Sequence, residues 1–197
     1  TWELIIIDDG STDRTAAIAQ GYAKKDSRIR YYFEENQRMA SARNNGISKA
    51  TGQYLAFLDA DNLFYPNKLK DQISFLESHP ECGVCYSRIY NFYENSTEDL
   101  FQNKNERFID YENFFLSVLR SNFINILAVL IRKEAFDRFG AFKPGWPACD
   151  EHYVWVNFSY HQVKFCYEDK TVGLLRLHRR EDSRRPGHVF DTASKFL

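Results

Sequence analysis

The chain has 197 residues, 44% of them hydrophobic, and 26 basic side chains against 27 acidic ones for a net charge of −1. That size and apolar content suit one domain around one core. The near-neutral balance leaves no sequence-wide footprint for nucleic acid, no apolar run is long enough to span a bilayer, and no signal-peptide pattern opens the chain.

In chain order, residues 1–7 predict a strand. Its continuous run Leu4-Ile5-Ile6-Ile7, stopped by Asp8-Asp9-Gly10-Ser11, fits the interior of a parallel sheet. Ser11 then caps a helix through Ala16, Ala17, Ile18 and Ala19 that closes near Gly21. Residues 28–33 form a short strand. Residues 37–50 form a helix with small or apolar residues at Met39, Ala42, Gly46 and Ala50, and Gly52 sits where a C-terminal cap belongs. Residues 54–58 are the next strand. Pro66 opens a helix whose apolar face is Leu69, Ile73 and Leu76. This β-α-β-α-β-α order argues for a parallel sheet with helices packed on it.

The second half reads as a strand over 83–92, a polar loop over 94–107, a helix over 111–120 and a strand over 126–131. A short helix over 133–139 follows, closed by Gly140. A Gly/Pro-rich loop then carries Trp146, whose flat face would stack on a sugar or pack onto the core. Asp150 opens another helix, a strand covers 163–167, and a further one 171–177. Cys82 and Cys85 have C-x-x-C spacing, but with only Cys149 and Cys166 besides there is no zinc set. Buried free thiols in a reducing compartment are expected. Arg176, Arg179, Arg180, Arg184 and Arg185 form a basic cluster, read as a solvated face or a phosphate contact.

Two apolar strands thus end in carboxylates, Asp8-Asp9 and Asp59-Ala60-Asp61. The carboxyl ends of such strands are where open α/β sheets bind ligands. Oxygen ligands gathered there suit a hard divalent cation carrying phosphates. A capping turn at Asp8-Asp9 and a solvated turn at Asp59-Ala60-Asp61 are the simpler readings. An EF-hand is excluded, because Leu63 and Phe64 stand where a ligand and the turn glycine belong.

Taken together, three segments resemble the family 2 glycosyltransferases of GT-A fold. They are Glu3-Leu4-Ile5-Ile6-Ile7-Asp8-Asp9-Gly10-Ser11-Thr12-Asp13, then Ser41-Ala42-Arg43-Asn44-Asn45-Gly46-Ile47, then Thr51-Gly52-Gln53-Tyr54-Leu55-Ala56-Phe57-Leu58-Asp59-Ala60-Asp61-Asn62. The stretch from Ala128 to Phe136 with Gly140-Ala141-Phe142 extends the likeness over nearly all of the chain. The resemblance implies a single α/β domain with a GT-A, Rossmann-like, mixed but mostly parallel sheet flanked by helices. Residues 1–93 would form its nucleotide-binding half and 94–197 its acceptor-binding half. It also implies an inverting transfer from a nucleotide-diphosphate sugar, a UDP-sugar being the commonest donor, to a hydroxyl on a glycan, lipid-linked or protein acceptor. A Mg²⁺ or Mn²⁺ ion would assist, at the cytoplasmic face of a membrane that makes surface polysaccharide or glycoprotein. A non-catalytic nucleotide-sugar-binding module and a sugar-phosphate nucleotidyltransferase are the rivals.

Carried over residue by residue, the resemblance puts Asp9 on the nucleotide base with Asp8 beside it, Asp59 on the ribose or sugar, and Asp61 on the metal. Arg43 steadies the turn, reaches the donor or makes a structural salt bridge. The family's catalytic base falls on Glu151 or its neighbour Asp150, in inverted order relative to the usual pair; two acids favouring a helix N-terminus are the simpler reading. His152 is expected to be an exposed helix residue. Leu175-Arg176-Leu177-His178 resembles a late segment whose histidine meets the metal or the diphosphate, against a surface histidine. Residues 94–107 and the stretch around Asn122 to Asn125 are expected to shape the acceptor site. Family members also begin with a strand and loop ahead of the position of Thr1. The chain, opening without methionine almost directly on a strand, therefore reads as an excised segment with weak donor binding.

Overall fold

The computed structural model describes residues 1–93, 96–102, 113–145 and 150–178. These run β1 (Leu4–Asp9), α1 (Thr15–Ala23), β2 (Ile29–Glu34), α2 (Met39–Lys49), β3 (Tyr54–Leu55), β4 (Leu63–Phe64), α3 (Lys68–Ser78), β5 (Cys82–Tyr93) and β6 (Ser96–Gln102). Then come α4 (Phe114–Arg120), a 3-10 turn (Ile126–Ala128), β7 (Val129–Arg132), α5 (Lys133–Phe139), α6 (Asp150–Tyr160) and β8 (Lys164–Leu177).

The strands form a parallel pair, β1 with β2, and a larger sheet in the order β3-β7-β5-β8-β4 with β6 added to β5. The mixed α/β sheet flanked by helices is as expected for the GT-A class. Its parallel share is smaller than the sequence suggests, since besides β1·β2 only β5·β8 runs parallel among the described pairings. Period-2 alternation explains the two layers on the larger sheet. Val84, Tyr86, Val129 and Ile131 face α6 through Val154, Trp155 and Phe158. Cys85 and Leu130 point the other way, toward Leu76 of α3. Trp155 and Phe158 are fully buried, and each such side chain contributes about 1.5–3 kcal/mol.

Several local expectations are corrected. Ser11 caps nothing; its amide donates to Asp8, and the bond to the start of α1 comes from Asp13, whose carboxylate accepts from the Thr15 amide at 2.9 Å. Gly52 does not close α2, which ends at Ala50 in extended backbone; the Gly52 amide instead donates to Glu3. Part of the expected polar loop is β6, antiparallel to β5, because backbone pairing along a long neighbouring strand overrides a polar sequence. The two expected late strands are one, β8. Glu168 pairs with Ser87 and Thr171 with Arg88, so Asp169 and Lys170 form a bulge whose polar residues read as a break. Cys82 and Cys166 are not free thiols; they form a disulfide between β5 and β8, with Cα atoms 6.0 Å apart. Cys85 is a buried free thiol that burial pushes up to about 12. Trp146, Cys149 and the arginines at 179, 180, 184 and 185 lie outside the described residues.

Helix α2 bridges β1 and the larger sheet. Gly46 lets it approach β1, a methyl group there lying 3.6 Å from Ile7, while Ile47 enters the main core. Glu3, just before β1, accepts from the Thr51 amide and hydroxyl and the Gly52 amide at 2.7–3.0 Å, tying that strand to the turn before β3. Among the described residues, β1 and β3 are each paired along one edge.

Candidate active site

Three groups of polar residues stand where these elements end. The first is the turn after β1. Asp8 is buried, accepting from the Ser11 amide at 2.8 Å and the Tyr31 hydroxyl at 2.7 Å. Burial opposes its ionisation, but the bonds from Tyr31 and Ser11 outweigh it and hold its pKa below the usual carboxylate value. The same bond pushes the Tyr31 hydroxyl up to about 12. Asp9 accepts from the Gln37 amide at 2.7 Å, and its carbonyl takes the Asn36 side chain at 3.0 Å. Gly10 sits at φ +84° with Asn36 crowding any Cβ, so glycine is required there. Both oxygens of Asp8 are thus committed inside the protein, and Asp9 is the more accessible carboxylate of the pair.

The second group centres on Arg43 of α2, whose side chain is only 8% exposed. It donates to Asp150 at 2.8 Å and to Asp59 at 3.1 Å, lies 3.7 Å from the second oxygen of Glu151, and packs over Phe142. The adjacent Asn44 clasps the Phe142 backbone, donating to its carbonyl at 2.8 Å and accepting from its amide at 2.9 Å. The strand expected over 54–58 is only the two-residue β3, and Asp59 lies in the irregular segment after it; successive residues of α2 lock Asp59 to the start of α6 and to the segment leading into it.

Asp150 and Glu151 are distinguished by their partners. One Asp150 oxygen accepts from both Arg43 and the Glu151 amide, and the other is buried with no partner among the described residues. Glu151 keeps 17% of its side chain exposed and accepts from the Asn122 amide at 3.1 Å. Burial raises the Glu151 pKa, Arg43 opposes the rise, and Asp150 adds to it. His152 is not the exposed residue expected. It is buried, its Nε2 lies 2.6 Å from the Val118 carbonyl, and burial lowers its pKa, so it is a neutral imidazole donating from Nε2.

The third group is the turn at Asp61. The Asn62 amide closes it on the Asp59 carbonyl at 3.1 Å. Asn62, buried, accepts from the Arg176 amide, and Arg176 Nε donates to the Asp61 carbonyl, both at 2.9 Å. This places His178 Nε2 2.9 Å from an Asp61 carboxylate oxygen. An oxygen and a nitrogen ligand side by side fit a divalent ion of the Mn²⁺ kind that completes its shell with phosphate oxygens. Elsewhere, the three-ligand group found among the described residues is Glu81, Cys82 and Cys166, whose cysteines are already joined to each other.

The structure therefore joins Arg43, Asp59, Asp150 and Glu151 in one cluster and Asp61 with His178 in a second. Asp8 and Asp9 form a separate turn. Asn62 has no role assigned from sequence, although it abuts the Asp59-Ala60-Asp61 run; Asn122 falls in the stretch expected to shape the acceptor site, but no spacing marks its bond to Glu151.

The model for "Glycosyl transferase family 2" matches residues 1–140. An uncharacterized glycosyltransferase of Haemophilus influenzae is 36% identical over 201 residues, covering 98% of this chain and 71% of that protein. A putative teichuronic acid biosynthesis glycosyltransferase, TuaG, of Bacillus subtilis is 36% identical over 135 residues, covering 68% and 51%. An uncharacterized glycosyltransferase of Rickettsia felis is 49% identical over 78 residues, 40% of this chain and 13% of that one, so the chain spans a small part of such longer relatives. Among solved structures, S. aureus TarS 1-349 in complex with UDP-GlcNAc aligns with a TM-score of 0.70 at 18% identity, over 96% of this chain and 55% of that one. Mannosyltransferase PcManGT from Pyrobaculum calidifontis, in complex with GDP-Man and Mn²⁺, aligns with a TM-score of 0.63 at 16% identity, over 91% and 49%. At these identities the structural likeness speaks for the fold, and the extent of the sequence match decides the family: the chain belongs to glycosyltransferase family 2.

Proposed function

We propose that this chain is the catalytic domain of an inverting glycosyltransferase that moves a sugar from a UDP-sugar to an acceptor hydroxyl. The observation that carries the proposal is Arg43, which ties Asp59, in the segment after β3 on the donor side, to Asp150 and Glu151 on the acceptor side. In this reading Asp9 meets the nucleotide base while Asp8 braces its turn. Asp59, held by Arg43, meets the ribose or sugar. Asp61 and His178 would hold Mn²⁺ or Mg²⁺, which would neutralise charge on the diphosphate leaving group.

Glu151 is the general base. It is the more exposed of the two candidates and its pKa is raised, which suits a proton acceptor working near neutrality. Asp150, occupied by Arg43, orients the guanidinium and the start of α6. Residues 1–93 supply the donor site, joined there by His178, and the rest of 94–197 supplies the acceptor side. The teichuronic acid relative and the UDP-GlcNAc complex of TarS support a UDP-sugar and a polysaccharide acceptor, and the Mn²⁺ complex of PcManGT supports the metal. No helix among the described residues is long and apolar enough to cross a membrane; work at the cytoplasmic face of a membrane is proposed from the family resemblance.

The test is UDP release from UDP-GlcNAc and other UDP-sugars, with water as the acceptor. Slow release that stops on chelation and is restored by Mn²⁺ is expected. Tight UDP-sugar binding without turnover, in the presence of metal and of acceptor glycans, would instead identify a binding module.

A further inference from the structure

Helix α6 grips one short segment of chain at three points. Glu151 accepts from the Asn122 side chain at 3.1 Å, His152 donates to the Val118 carbonyl at 2.6 Å, and the Trp155 indole donates to the Ile124 carbonyl at 2.9 Å. His152 and Trp155 are both fully buried, so their bonds are shielded from water and hold residues 118–124 on either side of Asn122. Beyond the grip, Asn125 caps the 3-10 turn by accepting from the Leu127 amide at 2.8 Å. Gln72 and Lys68 of α3 then fix the carbonyls of Ala128 and Val129 at 2.8 and 3.1 Å. Asn122 thus stands on backbone anchored before and after it.

An anchored asparagine next to a carboxylate has a specific consequence. The Asn122 amide has one side-chain hydrogen bond among the described residues, and it goes to Oε1 of Glu151. Arg43 lies 3.7 Å from the other oxygen. We propose that Asn122 is the positioning residue for Glu151: by holding Oε1, it restricts rotation of the carboxylate and leaves Oε2, 3.7 Å from Arg43, as the oxygen that receives the acceptor proton. The inference rests on the assignment of Glu151 as the general base. It adds that the base depends on a residue outside the acidic motifs. A rotamer-rich Glu keeps one geometry only when its carboxylate is held by a partner, and misplacement by about 1 Å costs on the order of a hundredfold in rate.

Among the described residues, the groups facing Glu151 are Arg43 from α2, Asp150 from its own helix and Asn122 from the segment after α4. Only Asn122 can be altered without disturbing the ion pairs of the other two. The experiment is ¹³C NMR titration of the Glu151 carboxyl carbon, assigned by its loss in Glu151→Gln, in the wild-type chain and in Asn122→Asp and Asn122→Ala. Asn122→Asp keeps shape and places a second carboxyl against Oε1. The midpoint of Glu151 is expected to rise by a unit or more, a tenfold change in proton affinity. Asn122→Ala removes the donor and is expected to broaden the carbon signal as the side chain samples several rotamers.

If Asn122→Asp fails to fold, Asn122→Asp combined with Glu151→Gln re-forms the hydrogen bond with its polarity reversed. It should recover the lost stability. An unchanged Glu151 midpoint in folded Asn122→Asp, or a double variant no more stable than the single one, overturns the proposal. Because the titration needs neither donor nor acceptor, an absence of transfer activity would sink the base assignment without touching the Asn122 contact.

Discussion

At Glu151 a single side chain carries both a catalytic and a stability prediction. Its pKa is raised by burial, so folding favours the protonated form. Its contribution to stability is fully present below the ordinary carboxylate pKa and is lost as pH rises through the elevated value. Glu151→Gln, a neutral isostere, is therefore expected to gain Tm over the wild type at pH 8, with the difference closing toward pH 4. Transfer activity should fall by about 10²–10⁴-fold, the range for removing a general base. Equal Tm differences at both pH values would show that the carboxyl is not perturbed. Arg43 makes the opposite case. Its removal in Arg43→Ala leaves the buried Asp150 carboxylate without its partner, a change that costs about 3–5 kcal/mol in comparable buried pairs, readable as a shift in the urea midpoint. Arg43→Lys keeps the charge and loses the fork, so it should lie between.

The residue scale is also where the sequence was least complete. Asp61 and His178 lie 117 positions apart and Arg43 and Asp59 lie 16 apart, and only the family resemblance brings Arg43 and His178 onto one list with the acidic run. Their contacts depend on where β8 ends and how α2 is rotated. Sequence left Asp150 and Glu151 equivalent, because their difference lies in which one Arg43 occupies. His152 was misread for the same reason. A histidine beside two acids at a helix start looks solvated until α4 covers it.

Among the elements, α3 shows how buried polarity shapes the site from a distance. Lys68 is buried, donates to Gln72 at 2.7 Å and to the Val129 carbonyl at 3.1 Å, and lies 4.9 Å from the Phe64 ring. Burial pulls its pKa down to about 7. Between that value and the ordinary 10.5 the unfolded chain holds a proton that the folded one does not, so stability rises with pH across this window. Lys68→Met is expected to flatten that rise in urea denaturation between pH 7 and 10. An unchanged slope would assign it to another group. Most helices and the long β5 were legible from sequence pattern, α2, α5 and β5 nearly to their ends and α6 at its start. The short β4 was missed, since two residues carry no period and exist as a strand only because β8 lies alongside. β6 was missed because its pairing with β5 overrides a polar sequence.

On the scale of the whole molecule, the fold is a mixed sheet in two parts bridged by α2. Among the described residues β1 and β3 each pair along one edge, and Leu4 of the apolar β1 run is 42% exposed. Apolar strands in such a setting are stabilised when a further strand covers them. The donor-side turn at Asp9 lies at the end of β1, so we expect nucleotide affinity to be modest in this chain and to tighten when an added strand and loop complete the sheet.

The central claim is that Asp61 anchors a metal-dependent nucleotide site, and calorimetric titration of UDP with and without Mn²⁺ into the wild-type chain and Asp61→Ala tests it most directly. The account predicts binding in the presence of Mn²⁺ with a Kd on the order of 0.1–1 mM, about −4 to −5.5 kcal/mol, that disappears without the metal and in the variant. UDP binding that is equally strong without Mn²⁺ or in Asp61→Ala, or no binding by the folded wild-type chain at millimolar UDP and Mn²⁺, would contradict it.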